Sequence, residues 1–344
     1  MEESTTIAVD LAKSVFEVAV SRRPGSVSQR RRLTRRQMGS FFATHPQSTV
    51  LMEACGTAHY WGRVLQSHGH EVRLLPPHHV RRYRLGSKTD RADADALLEA
   101  SRNQRIVPVP VKTVGQQTLA ALHSLRSSWI ASRTARLNRL RGILAEFGVA
   151  IPRGPRYVLP KVAEAVGTGE VPQELHGHLL GDCEEIRRLE ESIKRIERQL
   201  TEMTKEIPAA SHLLSVPGIG LLTATAMLGF VGSPCRFPSG RRFASFLGLV
   251  PKEFSSGNVR RLGAISKSGD TYLRTLLIHG ARALLLAARR SKHPDRLRRW
   301  ALEVERRRGH NRAATALANK LARIAWAVWS KDTPYVSRSL SPCS

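Results

Sequence analysis

Apolar positions in the first hundred residues fall into short runs separated by amphipathic stretches, and the run lengths set the elements. Residues 5–10 form an apolar run closed by Asp10, and Ser14-Val-Phe-Glu-Val-Ala-Val20 is nearly continuous in apolar character. The two read as a hairpin with Asp10 near the end of a central strand. A basic strand around Arg30 to Leu33 follows, then a helix from about Arg35 to Ala43. Ser48-Thr-Val-Leu-Met-Glu53 reads as a fourth strand, Ala58 to Ser67 as a helix, and Glu71-Val-Arg-Leu-Leu75 as a fifth strand. After the breaker Gly86, Thr89-Asp-Arg-Ala-Asp-Ala-Asp-Ala-Leu-Leu-Glu99 is composed of helix formers. Three strands, helix, strand, helix, strand is an α/β order.

The remainder is patterned for helices. Leu119, Leu122, Leu137, Leu140 and Leu144 lie at helical spacing between Gln116 and Phe147, and Ile151-Pro-Arg-Gly-Pro155 ends that stretch. A Gly- and Pro-rich linker is expected up to about Pro172. Ile186, Leu189, Ile193, Ile196, Leu200, Met203 and Ile207 then recur at intervals of three and four, a heptad seam open to a partner helix in the same chain or in a second chain. Thr271 begins a buried helix, and Ala313 to Trp329 reads as another. The sections are 1–110, an α/β domain; 111–207, a helical linker with a coiled coil; 208–335, a mostly helical C-terminal domain; and 336–344, a flexible tail.

Charge sharpens this division. The 344 residues carry 55 Lys plus Arg against 28 Asp plus Glu, a net charge of +27. Residues 1–110 hold 17 basic and 10 acidic side chains, 111–207 hold 15 and 12, and 208–344 hold 23 and 6. The last section therefore has the surface of a polyanion binder, with salt-sensitive affinity for phosphate backbones. No apolar run is long enough to cross a membrane, and the N-terminal residues lack the pattern of a secretion signal, so a cytoplasmic, nucleoid-associated protein is expected. Cys55, Cys183, Cys235 and Cys343 show no paired spacing, and the 13 histidines form no metal signature.

The candidate chemistry lies in four acids. Asp10 and Glu53 close two strands, and a charge such as Glu53 in an apolar segment is costly without a partner or a metal. On a helix, Asp90 and Asp93 are three apart and share a face, whereas Asp95 points elsewhere. Hard divalent ions take carboxylate oxygens and keep waters for a substrate phosphate, so this set suits Mg2+, with Mn2+ as an alternative. The same acids also have an ordinary reading, Asp90 as a helix cap and Asp93 as a first-turn acid. In the last section, Pro217-Gly-Ile-Gly220 resembles the turn of a helix-hairpin-helix, whose Gly218 and Gly220 amides would meet a phosphate. A polar loop carries Ser255, Ser256 and Gly257 with Lys252, Arg260, Arg261 and Lys267 nearby and Arg274 beyond, a hydroxyl among cations suited to a phosphodiester.

Taken together, the Asp10 strand, Glu53-Ala-Cys-Gly-Thr57, Lys88-Thr-Asp-Arg-Ala-Asp-Ala94, Pro217-Gly-Ile-Gly220, and Gly248-Leu-Val-Pro-Lys-Glu-Phe-Ser-Ser-Gly257 through Ile265-Ser-Lys-Ser-Gly269 resemble the DEDD-type insertion-sequence transposases. These are also described as bridge-RNA-guided serine recombinases and are related to the Piv DNA invertases. The likeness covers nearly the whole chain. It implies a RuvC-like, ribonuclease-H-like N-terminal domain, a helical connector and a C-terminal transposase domain. It also implies that Asp10, Glu53, Asp90 and Asp93 hold magnesium and that Ser256, directly before glycine, is the nucleophile, with Ser255 as a neighbouring candidate. Implied partners are donor DNA, target DNA, a guide (bridge) RNA and further copies of the chain, as a dimer or tetramer with a composite site. Two other classes remain open: a RuvC-like junction resolvase or an invertase acting without an RNA guide, and a non-catalytic nucleic-acid-binding protein.

Overall fold

The computed structural model describes residues 5–337. Most of the predicted 336–344 tail, Cys343 included, lies outside the described residues, as do residues 1–4. The chain divides into two compact units, Met1–Gln117 with Gly232–Pro238, and Thr118–Val231 with Ser239–Ser344. This differs from the three expected sections, since the helical connector shares a unit with most of the C-terminal part.

The first unit is built on a five-stranded mixed sheet. Its elements in chain order are β1 (Thr6–Asp10), β2 (Val15–Ser21), β3 (Gln29–Thr34), α1 (Arg35–Thr44), β4 (Thr49–Glu53), α2 (Ala58–Ser67), β5 (Glu71–Leu75), the single turn α3 (Pro77–Val80) and α4 (Asp90–Ser101). The strand order is β3-β2-β1-β4-β5; β1, β2 and β3 pair antiparallel, while β1, β4 and β5 pair parallel. A mixed sheet in this order is consistent with the expected ribonuclease-H-like domain. β1 is buried on both faces because successive side chains alternate between two cores. Ile7 and Val9, with Phe16, Val18, Val50 and Met52, pack under Met38, Phe42, Trp61 and Leu65 of α1 and α2. Ala8, Ala19 and Leu51 face the other way, onto Ala94, Leu97 and Leu98 of α4. The two alanines leave α4 room to lie close on the sheet.

The second unit contains almost all of α5 (Val114–Glu146), then α6 (Val158–Gly167), α7 (Gln173–Lys205), α8 (Pro208–Leu214), α9 (Leu221–Ala226), α10 (Gly240–Phe246), β6 (Pro251–Glu253), β7 (Leu262–Ile265), α11 (Thr271–Arg290), α12 (Arg296–Arg308) and α13 (His310–Lys331). α6 occupies the stretch expected to be a linker. Its Val158, Val162 and Ala165 form a buried stripe that the flanking Gly154, Pro155 and Gly169 obscure in the sequence. The heptad seam finds its partner inside the chain. Ile186 of the seam, with Leu179 and Cys183 just before it on α7, buries against Leu137, Leu140 and Leu144 of α5 and against α6, and Ile193, Ile196 and Leu200 of the seam are buried farther along. Ion pairs Arg126–Glu197, Arg133–Glu190 and Arg136–Asp182 run in opposite sense along α5 and α7, so the two helices are antiparallel.

Two features lock the helices of this unit together. His123 of α5 is fully buried, with Nδ1 2.9 Å from the Tyr272 hydroxyl and Nε2 2.9 Å from Thr225 Oγ1. Thr225 donates its own proton to the Leu221 carbonyl, so it accepts from Nε2–H, and Nδ1 accepts from Tyr272. Burial, and then Arg126, hold this imidazole down at about 4, so it is neutral at pH 7. The second feature is a backbone contact: Gly218, at φ +84°, sits against Gly280 of α11. A Cβ on Gly280 would lie 1.9 Å from the Gly218 carbonyl oxygen. Gly280→Ala is therefore expected to cost at least about 2 kcal/mol, read as a lower denaturant midpoint; an unchanged midpoint would contradict this packing.

Candidate active site

Parallel pairing of β1 with β4 aligns Val9 with Met52, which sets Asp10 and Glu53 side by side at the carboxyl ends of adjacent strands. Each lies two residues beyond a side chain, Ala8 or Leu51, that packs beneath α4, so both carboxylates face α4. α4 carries Asp90 and Asp93 in its first turn. The cap of that helix is Thr89, whose hydroxyl accepts from Ala92 N–H, so Asp90 is released from the capping role. Asp95 turns away and accepts from Arg30 at 2.6 and 2.9 Å, as its spacing predicts.

Electrostatics show the convergence. Burial, then the charges of Asp93, Asp90, Glu53 and Glu17, push the Asp10 carboxyl up to about 6. Among the described residues, the carboxylates of Asp10, Glu53 and Asp90 have no hydrogen-bonding or ion-pairing partner. Asp93 accepts from Arg84 Nη1 at 3.0 Å. Glu17 is a fifth acid that sequence reasoning passed over. It is 7% exposed, lies opposite Asp10 in the β1–β2 register, and has Arg32 Nε 3.9 Å from its carboxylate. Its signal was the one that singled out Glu53, a lone charge inside an apolar strand.

The donor set fits a hard divalent cation: oxygen ligands only, converging from two strands and a helix, with more negative charge than Arg84 alone balances. Among the described residues no three such side chains are already drawn together into a coordination cage. The acids that would hold an ion are Asp10, Glu53, Asp90 and Asp93.

The serine loop of the second unit is a hairpin formed by β6 and β7, with Pro251 opposite Ile265 and Glu253 opposite Leu262. Ser256 and Val259 exchange backbone hydrogen bonds around a two-residue tip, where Gly257 takes φ +55°. The two serines differ in their bonding. Ser255 Oγ donates to Glu253 Oε1 at 2.8 Å and accepts from Arg261 N–H at 3.2 Å. Ser256 is exposed, and among the described residues its hydroxyl makes no hydrogen bond. Lys252, Arg260 and Arg261 are exposed on the same hairpin, Arg260 lying 3.4 Å from Glu253, whereas the exposed Lys267 sits at its base, where its N–H donates to the Gly248 carbonyl.

Two nucleic-acid contacts expected from the sequence take different places. Arg274 is 7% exposed and donates to the Leu247 carbonyl and to Thr271 Oγ1, so it braces the N-terminal turn of α11 inside the fold and is not free to meet a phosphate. Gly218 is spent on the close approach to Gly280, whereas Gly220 is exposed with open space around its Cα. The Pro217–Gly220 turn does join two helices, α8 and α9.

The raised carboxyl of Asp10 has a stability consequence. A folded-state value of about 6 lies above the unfolded 3.8, so the folded state favours the protonated form. That contribution is fully present below pH 4 and is lost as pH rises through 6. With chelator present, Asp10→Asn is expected to raise the melting temperature relative to wild type at pH 7.5, with the difference vanishing near pH 4. A constant difference across that range would show that Asp10 does not share its surroundings with the other acids.

Comparison with known proteins agrees across both units. A model described as the transposase IS116/IS110/IS902 family matches residues 210–297, and a DEDD-type transposase model matches residues 7–148. A probable family 20 transposase of Pseudomonas aeruginosa is 43% identical over 96% of this chain and 98% of its own length. The transposase for insertion sequence element IS1111A of Coxiella burnetii is 37% identical over 97% of this chain and 92% of its own. A pilin gene-inverting protein of Moraxella bovis is more distant, 23% identical over 97% and 98%. The DEDD-type domain points to use of a divalent metal, and among the described residues no helix is long and apolar enough to cross a membrane. With similarity running from the acids of the first unit through the hairpin of the second, the chain belongs to the IS110/IS116/IS902 family of transposases, enzymes that cut and rejoin DNA.

Proposed function

We propose that this transposase excises and inserts a mobile element by metal-dependent, serine-mediated strand exchange, guided by a structured non-coding RNA. The observation that carries the reading is the convergence of Asp10, Glu53, Asp90 and Asp93 on one edge of the sheet, felt in the raised carboxyl of Asp10. Mg2+ or Mn2+ held by these acids would place positive charge against the oxygens of a scissile phosphate. The unengaged hydroxyl of Ser256 supports its role as the nucleophile. Its Oγ forms a bond to phosphorus as the bond to the leaving sugar oxygen breaks, and the hydroxyl proton passes to that oxygen or to solvent. A later sugar hydroxyl reverses the step, so rejoining consumes no energy source. Lys252, Arg260, Arg261 and Lys267 neutralise the phosphate, and Ser255, tied to Glu253 and Arg261, shapes the loop.

RNA guidance, and a composite site in which the acids of one protomer meet Ser256 of another in a dimer or tetramer, rest on family resemblance. A second reading, inversion of a DNA segment without an RNA guide, is favoured by the distant likeness to the pilin gene-inverting protein.

Ser256→Ala is expected to lower strand transfer by about a thousandfold or more and to remove any covalent protein–DNA product trapped by denaturation, with DNA binding retained; Ser255→Ala is expected to keep the covalent product. A covalent adduct in Ser256→Ala, or its loss only in Ser255→Ala, would reassign the nucleophile. Asp10→Asn and Asp93→Asn are each expected to abolish Mg2+-dependent cleavage and the rise in melting temperature that Mg2+ gives the wild type. Full recombination by both variants would remove the acids from the reaction.

A further inference from the structure

Beneath the β6–β7 hairpin the second unit contains a cleft of about 1070 Å³ that no step above uses. One wall is apolar and comes from the hairpin, with Pro251, Leu262 and Ile265, and Leu262 is 51% exposed. The facing wall belongs to α12 and α13 and is cationic, with Arg312, Lys320 and Arg323. Among the described residues none of these three cations has a carboxylate partner. Lys320 Nζ stands 3.8 Å from the centroid of the Trp300 ring, which holds the ammonium at the cleft wall. Burial, then the neighbouring Arg296 and Arg323, lower its affinity for its proton, so positive charge is crowded here with no counter-charge among the described residues.

An apolar wall facing unpaired cations is complementary to a ligand with one flat apolar face and one anionic edge. A nucleotide out of its helix has both; a duplex keeps its base faces in the stack and offers only the phosphates. We propose that this cleft receives an unpaired nucleotide of a nucleic-acid strand, its base against Pro251, Leu262 and Ile265 and its phosphate against Arg312, Lys320 and Arg323. The proposal rests on the transposase reading and deepens it. The same hairpin carries Ser256 at its tip, so a strand seated in the cleft is held by the element that presents the nucleophile. The cleft is thus a positioning site for the strand.

The test measures binding of fluorescein-labelled oligonucleotides of about 12 nucleotides to the full chain, as single-stranded DNA, as single-stranded RNA and as blunt duplex DNA, with poly-glutamate as a competing anion. Lys320→Met and Arg323→Met are expected to weaken single-strand binding about tenfold each, with duplex affinity changed by less than about threefold. Each is also expected to flatten the single-strand salt dependence by about 0.7 in log–log slope. Selective loss on the DNA strand or on the RNA strand supports the site and identifies which nucleic acid supplies the nucleotide. A single strand carrying 5-iodouracil, irradiated with the wild-type protein, is expected to cross-link within 251–265 or at Trp300, a readout that holds even if a variant folds poorly. Equal losses on single strand and duplex, displacement by poly-glutamate at matched charge, or cross-links confined to other segments would overturn the cleft assignment. Should the wild type bind no nucleic acid at all, the proposed strand-exchange function itself would fall with it.

Discussion

The constraint on which the first unit depends is the crowding of like charge at the carboxyl edge of a buried sheet. Carboxylates of this kind repel one another and lose hydration, and either effect alone would push them apart or toward protonation. The fold keeps them together because the parallel β1–β4 register and the seating of α4 on Ala8, Ala19 and Leu51 are set by apolar packing on both faces. Asp10 bears the consequence as a raised carboxyl, and Arg84 offsets part of it through Asp93. A site that is unfavourable by itself and is imposed by its surroundings is the expected signature of a place where a positive group is to be added.

Much of this was legible in the sequence because burial on one face leaves a period that composition cannot hide. The five strands, α1, α2 and α4 follow the predicted runs closely, and Asp95 diverges from Asp93 as helical geometry requires. What escaped has a physical reason in each case. α6 is short, and its apolar stripe is bracketed by Gly and Pro, whose local preference for turns outweighed three buried positions. Glu17 was read as part of a strand, and only the register reveals that it stands opposite Asp10. Arg274 looks like a surface cation in sequence, but the carbonyl of Leu247, unbonded within its own helix end, is what its guanidinium satisfies. The partner of the heptad seam could not be chosen from spacing, since an intrachain and an interchain helix present the same stripe. The Arg126, Arg133 and Arg136 side chains on α5 decide it by matching the acids of α7 in antiparallel order.

Arginine therefore serves three different ends in one chain, and net charge blurs them together. On α5 it is consumed by part-buried interhelical pairs that together fix the register. At Arg274 it is structural. On the hairpin and along α12 and α13 many cations have no acid to answer them among the described residues, in keeping with the 23 basic and 6 acidic side chains of residues 208–344. This last group accounts for most of the excess positive charge, since residues 208–344 carry 23 basic and 6 acidic side chains against 17 and 10 in residues 1–110.

The hairpin distinguishes its two adjacent serines by backbone geometry alone. Ser255 and Ser256 are chemically identical and adjacent, yet strand alternation sends their side chains to opposite sides. Ser255 meets Glu253, two residues back on the same side, and the returning strand supplies the Arg261 N–H, so its oxygen is occupied as both donor and acceptor. Ser256 stands at the last paired position before the turn, where Gly257 adopts the positive φ that closes the tip. Swapping the order of serine and glycine would place a Cβ at the positive-φ position and return the hydroxyl to the turn itself. Serine immediately before glycine thus suits the geometry of this hairpin, and it leaves the Ser256 hydroxyl unengaged where that of Ser255 is bonded.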